Sequence, residues 1–182
     1  MESLEGHLLV AAPELLDPNF VRSVVLMVQH NEQGALGLIL NRPTSKELRQ
    51  LWDDVGGEPC HGDGPVYLGG PVPGPIMALH AIPDLAELEV LAGVFFAARK
   101  EHLDQLVLRT DLPYKVFVGH AGWGPGQLEG ELKLGGWLTV PATVQDVFHD
   151  GEDLWGKLVK RGRKPLPEML HIKHVPPDPR VN

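Results

Sequence analysis

Apolar residues recur along this chain in short runs divided by glycine, proline and polar turns, and the period of each run predicts its element. Gly6 to Ala12 is a short apolar run closed by Pro13, a first strand, and Asp17-Pro-Asn19 has turn chemistry. Ser23 to His30 is apolar on both parities, which predicts a strand covered on both faces. After the Asn31 to Gly34 turn, Ala35 to Asn41 is apolar again, so the pair reads as a β-hairpin, closed by Arg42-Pro43. Thr44-Ser-Lys-Glu47 fits a capping box, and Leu48, Leu51, Trp52 and Val55 follow at the spacing of an amphipathic helix that Gly56-Gly57 stops.

The second half repeats this rhythm. Val66 to Leu68 reads as a brief strand, Gly69 to Pro75 as a rigid turn region and Ile76 to Ile82 as a strand. Leu85 to Leu108 fits either one long helix or a strand over Val90 to Phe96 followed by a helix over Arg99 to Leu108; Gly93 inside the Val/Phe-rich run favours the second. Tyr114 to Val118 is a strand, Gly119 to Gly126 a glycine-rich loop, Gln127 to Leu134 a short helix and Gly136 to Val140 a strand. Thr143 starts another helix, and Leu154, Trp155, Leu158 and Val159 mark the inner face of a last one ended by Gly162. Beyond it the chain is rich in proline and reads as extended, which divides it into a domain over 1–162 and a basic tail over 163–182.

Composition supports one globular domain with many turns. The 182 residues are 43% apolar, enough for a core, and 21 glycines with 17 prolines make about a fifth of the chain against a usual ~12%. The formal charge of −8 hides an asymmetry. Residues 1–156 carry 9 basic and 22 acidic side chains, net −13, and residues 157–182 carry 7 and 2, net +5. An acidic body repels a nucleic-acid duplex, so no direct DNA binding is expected from the core. No basic recognition helix appears, since the helix after Thr44 carries Lys46 and Arg49 against Glu47, Asp53 and Asp54 and nets to −1. The amino terminus lacks a basic signal region and no run of about 18 uncharged apolar residues exists, so a cytoplasmic protein without a membrane span is expected.

The chemistry-bearing residues form few recognisable patterns. The single cysteine, Cys60, excludes an intramolecular disulfide and a thiolate-rich zinc site, and its neighbour His61 does not by itself activate it. Nine histidines include no H-E-x-x-H, and His171 with His174 lies in the proline-rich tail, so no metal or other cofactor is assigned. Serine hydrolase chemistry lacks its nucleophile elbow. The densest signal is Gly119 to Glu129, a strand, a glycine loop and a helix in succession, as in anion sites. It lacks the Lys-Ser/Thr of a phosphate loop, and bulky Trp123 stands where a dinucleotide would approach, so a tight corner is the simpler reading.

Four ordered blocks carry a family likeness: Asp17-Pro-Asn-Phe-Val-Arg-Ser-Val-Val25; His30-Asn31 followed by Gly34-Ala-Leu-Gly-Leu-Ile-Leu-Asn-Arg-Pro43; Gly69-Gly-Pro71; and Gly122-Trp-Gly-Pro-Gly-Gln-Leu-Glu129 followed by Trp137-Leu138. Over roughly residues 6 to 161 the chain resembles the AlgH/YqgE family of bacterial proteins. The resemblance implies a compact α/β (α+β) domain with a flattened, barrel-like, mostly antiparallel β-sheet flanked by helices, a strand at Val90 to Phe96, and a cytosolic location. It brings the label of a transcriptional regulator, from a role suggested in alginate production, and no established reaction. Some relatives carry a cysteine at the position of Val28, so thiol chemistry there is absent from this chain.

The leading expectation is a non-enzymatic binding or regulatory protein with a protein or small-molecule partner. Its recognition residues are His30, Asn31, Asn41, Arg42, His120, Trp123, Gln127 and Glu129, clustered at strand ends and in the Gly119 to Glu129 segment, with no catalytic residue assigned. The alternative is a small-ligand protein or enzyme using the Gly119 to Glu129 loop as an anion site with His30 or His120 as acid/base. The two separate on whether these residues converge on one concave pocket.

Overall fold

The computed structural model describes residues 2–56, 59–149 and 153–163. Among these residues, eleven strands divide between two sheets. The first strand, β1 (His7–Ala11), pairs antiparallel with β2 (Val24–Asn31), which forms a hairpin with β3 (Gly34–Ile39). The chain then leaves this sheet directly for the second, through β4 (Pro43–Glu47), α1 (Leu48–Asp54), β5 (Pro65–Leu68) and β6 (Met77–His80). After a 3-10 turn at Pro83–Leu85 come β7 (Leu88–Leu91), β8 (Val94–Ala97), α2 (Lys100–Leu106) and β9 (Tyr114–Val118). The chain returns to the first sheet with β10 (Ala121–Trp123), α3 (Gln127–Lys133) and β11 (Trp137–Pro141), and ends in α4 (Val144–Val147) and α5 (Leu154–Gly162). The orders are β10-β3-β2-β1-β11 and β4-β5-β9-β6-β8-β7, and β5 with β9 is the one parallel pairing among these strands. The fold is thus α+β and mostly antiparallel; its strands form two sheets and no closed barrel.

Alternating strand faces build three cores. On one face of the first sheet Leu8, Val10, Val24, Leu26 and Leu38 pack with Leu79, Phe117 and Val94 of the second sheet and with Leu154 and Leu158 of α5. The opposite parity, Leu9, Val25, Met27 and Ile39, packs with Leu128 of α3 and with Trp123 and Trp137. This is why β2 reads apolar on both parities from Val24 to Val28: both its faces are covered there. The outer face of the second sheet carries Ala78, Ala97 and Val116 against Leu51 and Trp52 of α1 and Leu103 and Leu106 of α2.

Gly69 joins the sheets. The Ile39 amide donates to the Gly69 carbonyl at 2.8 Å, and the Gly69 amide donates to the Val118 carbonyl at 2.9 Å, so one residue links β3 to β9. A Cβ at Gly69 would stand 2.3 Å from the Gly119 carbonyl oxygen, which leaves room only for glycine.

Two local expectations are corrected. The capping box lies one turn later than Thr44: Gln50 Oε1 accepts the Glu47 amide at 3.0 Å, while Thr44 donates its hydroxyl to the Val66 carbonyl at 2.7 Å as part of β4. Val90 to Phe96 is two strands, because Gly93 takes φ +86° and turns β7 back onto β8. The tail over 164–182, with His171 and His174, lies outside the described residues. Among the described residues no helix is long and apolar enough to cross a membrane.

Candidate functional site

Asn41 and Arg42, where the chain passes between the sheets, hold the 19–22 turn by its backbone. Arg42 donates through Nη1 to the Asn19 carbonyl and through Nη2 to the Val21 carbonyl at 3.0 Å. Asn41 donates through Nδ2 to the Arg22 carbonyl and accepts the Val24 amide on Oδ1, both at 2.9 Å. Burial pulls the Arg42 guanidinium down from its ordinary value, partly offset by Asp17. The turn so held presents Arg22 in left-handed backbone, φ 57°, with its guanidinium 4.7 Å from the Trp155 ring centre. Trp155 is fixed in turn by its indole N–H on the Ala11 carbonyl at 2.8 Å.

These residues wall a cleft of about 720 Å3 completed by Tyr67, His149 and Asp153. Asp153, φ 62°, is the other non-glycine residue with left-handed backbone among the described residues; its carboxylate accepts the Gly156 amide at 3.0 Å and caps α5. Lys115, buried, donates to the His149 carbonyl at 3.0 Å and sits over the Tyr67 ring at 4.7 Å. His149 Nε2 is buried without a hydrogen-bond partner among the described residues. A buried polar nitrogen left so is a costly state.

His30 and Asn31 lie elsewhere, at the end of β2. The buried His30 ring accepts the Leu4 amide on Nδ1 at 2.9 Å, so its proton is on Nε2, which donates to Glu129 at 3.0 Å. The carboxylate of Glu129 is held below its usual range by backbone hydrogen bonding first and by His30 second. Asn31 accepts the Gln33 amide at 2.8 Å and shapes the hairpin turn. With both ring nitrogens engaged, His30 ties the amino-terminal segment and α3 to the sheet.

The Gly119 loop is a corner. The His120 amide and carbonyl pair with Val72, β10 continues the first sheet, and the Gly124 amide donates to Gln127 Oε1 at 3.0 Å. The amides that an anion would need at His120, Gly124 and Gln127 are therefore engaged. His120 Nδ1 is buried and, among the described residues, unpartnered, packed where a Cβ on Gly74 would stand 2.9 Å from it. Trp123 donates its indole N–H to Glu131 Oε1 at 3.1 Å, Trp137 donates to the same oxygen at 3.0 Å, and Gln127 donates to Oε2 at 3.1 Å.

The expected residues thus separate. Asn41 and Arg42 line the large cleft, His30 and Asn31 a shallow one of about 470 Å3 with Ser3, and Trp123 and Gln127 a groove of about 590 Å3 beside α3. His120 lines none of these. Sequence reasoning missed Arg22, His149 and Trp155. Arg22 stood within the first family-like block, beside the turn residues that shape it, whereas the approach of Trp155 needs the fold. Cys60 is half-buried, and burial pushes its thiol up from the ordinary value, away from a reactive thiolate.

Comparison with known proteins follows the fold closely. Residues 8–166 match the AlgH-like family. The chain is 37% identical over 194 residues to a UPF0301 protein of Streptomyces avermitilis, covering 100% of this chain and 97% of that one. It is 39% identical over 175 residues to a UPF0301 protein of Myxococcus xanthus, with 93% and 96% covered. Its structure is similar to the solution structure of the AlgH protein from Pseudomonas aeruginosa, with a TM-score of 0.73, 30% identity, and 97% and 96% of the two chains covered.

Proposed function

The chain belongs to the AlgH-like family, and from that premise and the cleft geometry we propose that it is a non-enzymatic binding or regulatory protein of the bacterial cytosol. It engages its partner through the cleft between Arg22 and Trp155. The observation that carries this reading is the strained turn. Arg22 and Asp153, the two non-glycine residues with left-handed backbone among the described residues, both line that one cleft, and Asn41 and Arg42 use their side chains to hold Arg22 there. Backbone strain of this kind persists where surrounding structure imposes it and gathers at ligand clamps. The partner group that fits is a polar or acidic one, able to meet the Arg22 guanidinium in the cleft.

Support for binding over catalysis comes from His30, whose ring nitrogens are both engaged, and from the occupied amides of the Gly119 loop. Regulation through direct DNA contact by the body is disfavoured by its net charge of −13. The test compares wild type with Arg22→Ala, which removes the presented group and leaves the Asn41 and Arg42 clamps in place. Affinity capture from native bacterial lysate is expected to lose specific partners in the variant at unchanged thermal stability. Identical partner sets would sink the reading, and so would loss of partners on Glu129→Gln alone.

A further inference from the structure

The groove beside α3 has no role in the reading above, and its chemistry is unlike that of the Arg22 cleft. Its floor is aromatic: the Phe20 ring lies 6.0 Å from that of Trp123 and 5.4 Å from that of Trp137, and the two indoles are 6.2 Å apart. Its rim is acidic at Glu14 and Asp17 and apolar at Leu15 and Leu134. Leu134 is 88% exposed, and Leu16, next to the rim in sequence, is 79% exposed; these are the two most exposed large apolar side chains among the described residues. Such a surface, lined by aromatic, apolar and acidic side chains, suits an extended, proline-containing segment with basic and aliphatic side chains.

That segment follows directly in the sequence. Arg163, the last described residue after α5, donates through Nη2 to both carboxylate oxygens of Glu14 at 3.1 Å, so its side chain reaches a residue that lines the groove. The next residues are Lys164-Pro-Leu-Pro-Glu-Met-Leu170, and 19 residues run from there to Asn182. Six extended residues reach roughly 20 Å, enough to cross a groove of this size. Prolines at 165 and 167 prevent continuation of α5 and lower the entropy lost when the segment is held extended.

We propose that this groove is the docking site of the chain's own residues 164–170, with Lys164 toward Glu14 and Asp17 and with Leu166 and Leu170 covering Leu134 and the aromatic floor. The charge arrangement agrees, since the basic end of the chain then lies on its acidic body.

The test uses the full chain. In a Cys60→Ser background, Met169→Cys is labelled with a nitroxide, and the indole N–H signals of the four tryptophans are followed by NMR in the oxidised and reduced label states. Docking predicts that Trp123 and Trp137 lose most of their intensity while Trp52, in α1, keeps it, and that Leu134→Glu restores both. Unchanged intensity at Trp123 and Trp137, or broadening of all four signals that Leu134→Glu leaves as it was, overturns the proposal. So does broadening that appears only when nitroxide and isotope are on different chains, which would make a second copy the occupant.

Discussion

Arg22 holds a backbone conformation that costs an L-residue about 1–2 kcal/mol, and it does so next to a tryptophan that its guanidinium covers. Glycine accepts that conformation freely. Arg22→Gly is therefore expected to be more stable than Arg22→Ala by about 1 kcal/mol in urea denaturation, the reverse of the usual order of these residues. Equal midpoints would mean that the turn relaxes once the side chain is gone. This residue also shows why the site was only half legible in the sequence. Asn41 and Arg42 stand out as polar residues at a strand end, but what they act on is a carbonyl row at 19, 21 and 22 that only the fold brings near. A second residue-scale prediction concerns His80, fully buried, with Nδ1 accepting the Ile82 amide at 3.0 Å and Nε2 donating to the Leu85 carbonyl at 3.2 Å. Burial pushes it below its ordinary value of 6.5. Below that pH the unfolded chain takes up a proton that the folded chain refuses, so stability is full above it and falls as pH drops toward the folded value. His80→Gln should lose less melting temperature than wild type between about pH 7.5 and about pH 5.5; an equal loss would assign the pH dependence to other groups.

At the scale of elements, α3 is tied to the first sheet by its Glu131, one oxygen of which takes the indole protons of β10 and β11 together. Glu131→Ala leaves two buried indole donors without acceptors, at roughly 1–3 kcal/mol each, and is expected to destabilise by about 3 kcal/mol. Glu131→Gln keeps an acceptor oxygen and should cost clearly less in the same melting series. Equal losses would place the effect in the charge. Element periodicity was the most legible part of the chain. The two-sided burial of β2, the hairpin into β3 and the inner face of α5 all follow from residue pattern, because each answers to the nearest layer. The start of α1 was not legible, since a hydroxyl that fits a cap is equally able to serve a neighbouring strand. At Thr44 the Val66 carbonyl has it. Gly93 marked a break in its run, yet the choice between a bulge and a reversal depends on whether β8 finds β6 on its other side, as it does.

For the whole molecule, the sorting of strands between two sheets was beyond the sequence, because nothing local tells β3 to stop pairing at Ile39 and β4 to join a different partner. Gly69 makes that division workable. Gly69→Ala would drive a methyl group into the Gly119 carbonyl and is expected to yield little soluble folded protein; wild-type melting in that variant would show the junction to be slack. The same junction sets how the molecule opens. The amide protons of Ile39 and Gly69 are held between the sheets, so neither can meet solvent unless both sheets part there. Native-state hydrogen exchange at these two amides should match the slowest class in the protein and respond to urea with the full unfolding slope, while the Leu134 amide exchanges through local fraying. That outcome would make the two sheets one cooperative unit, with no half-open form, one sheet intact, for a chaperone or a protease to find.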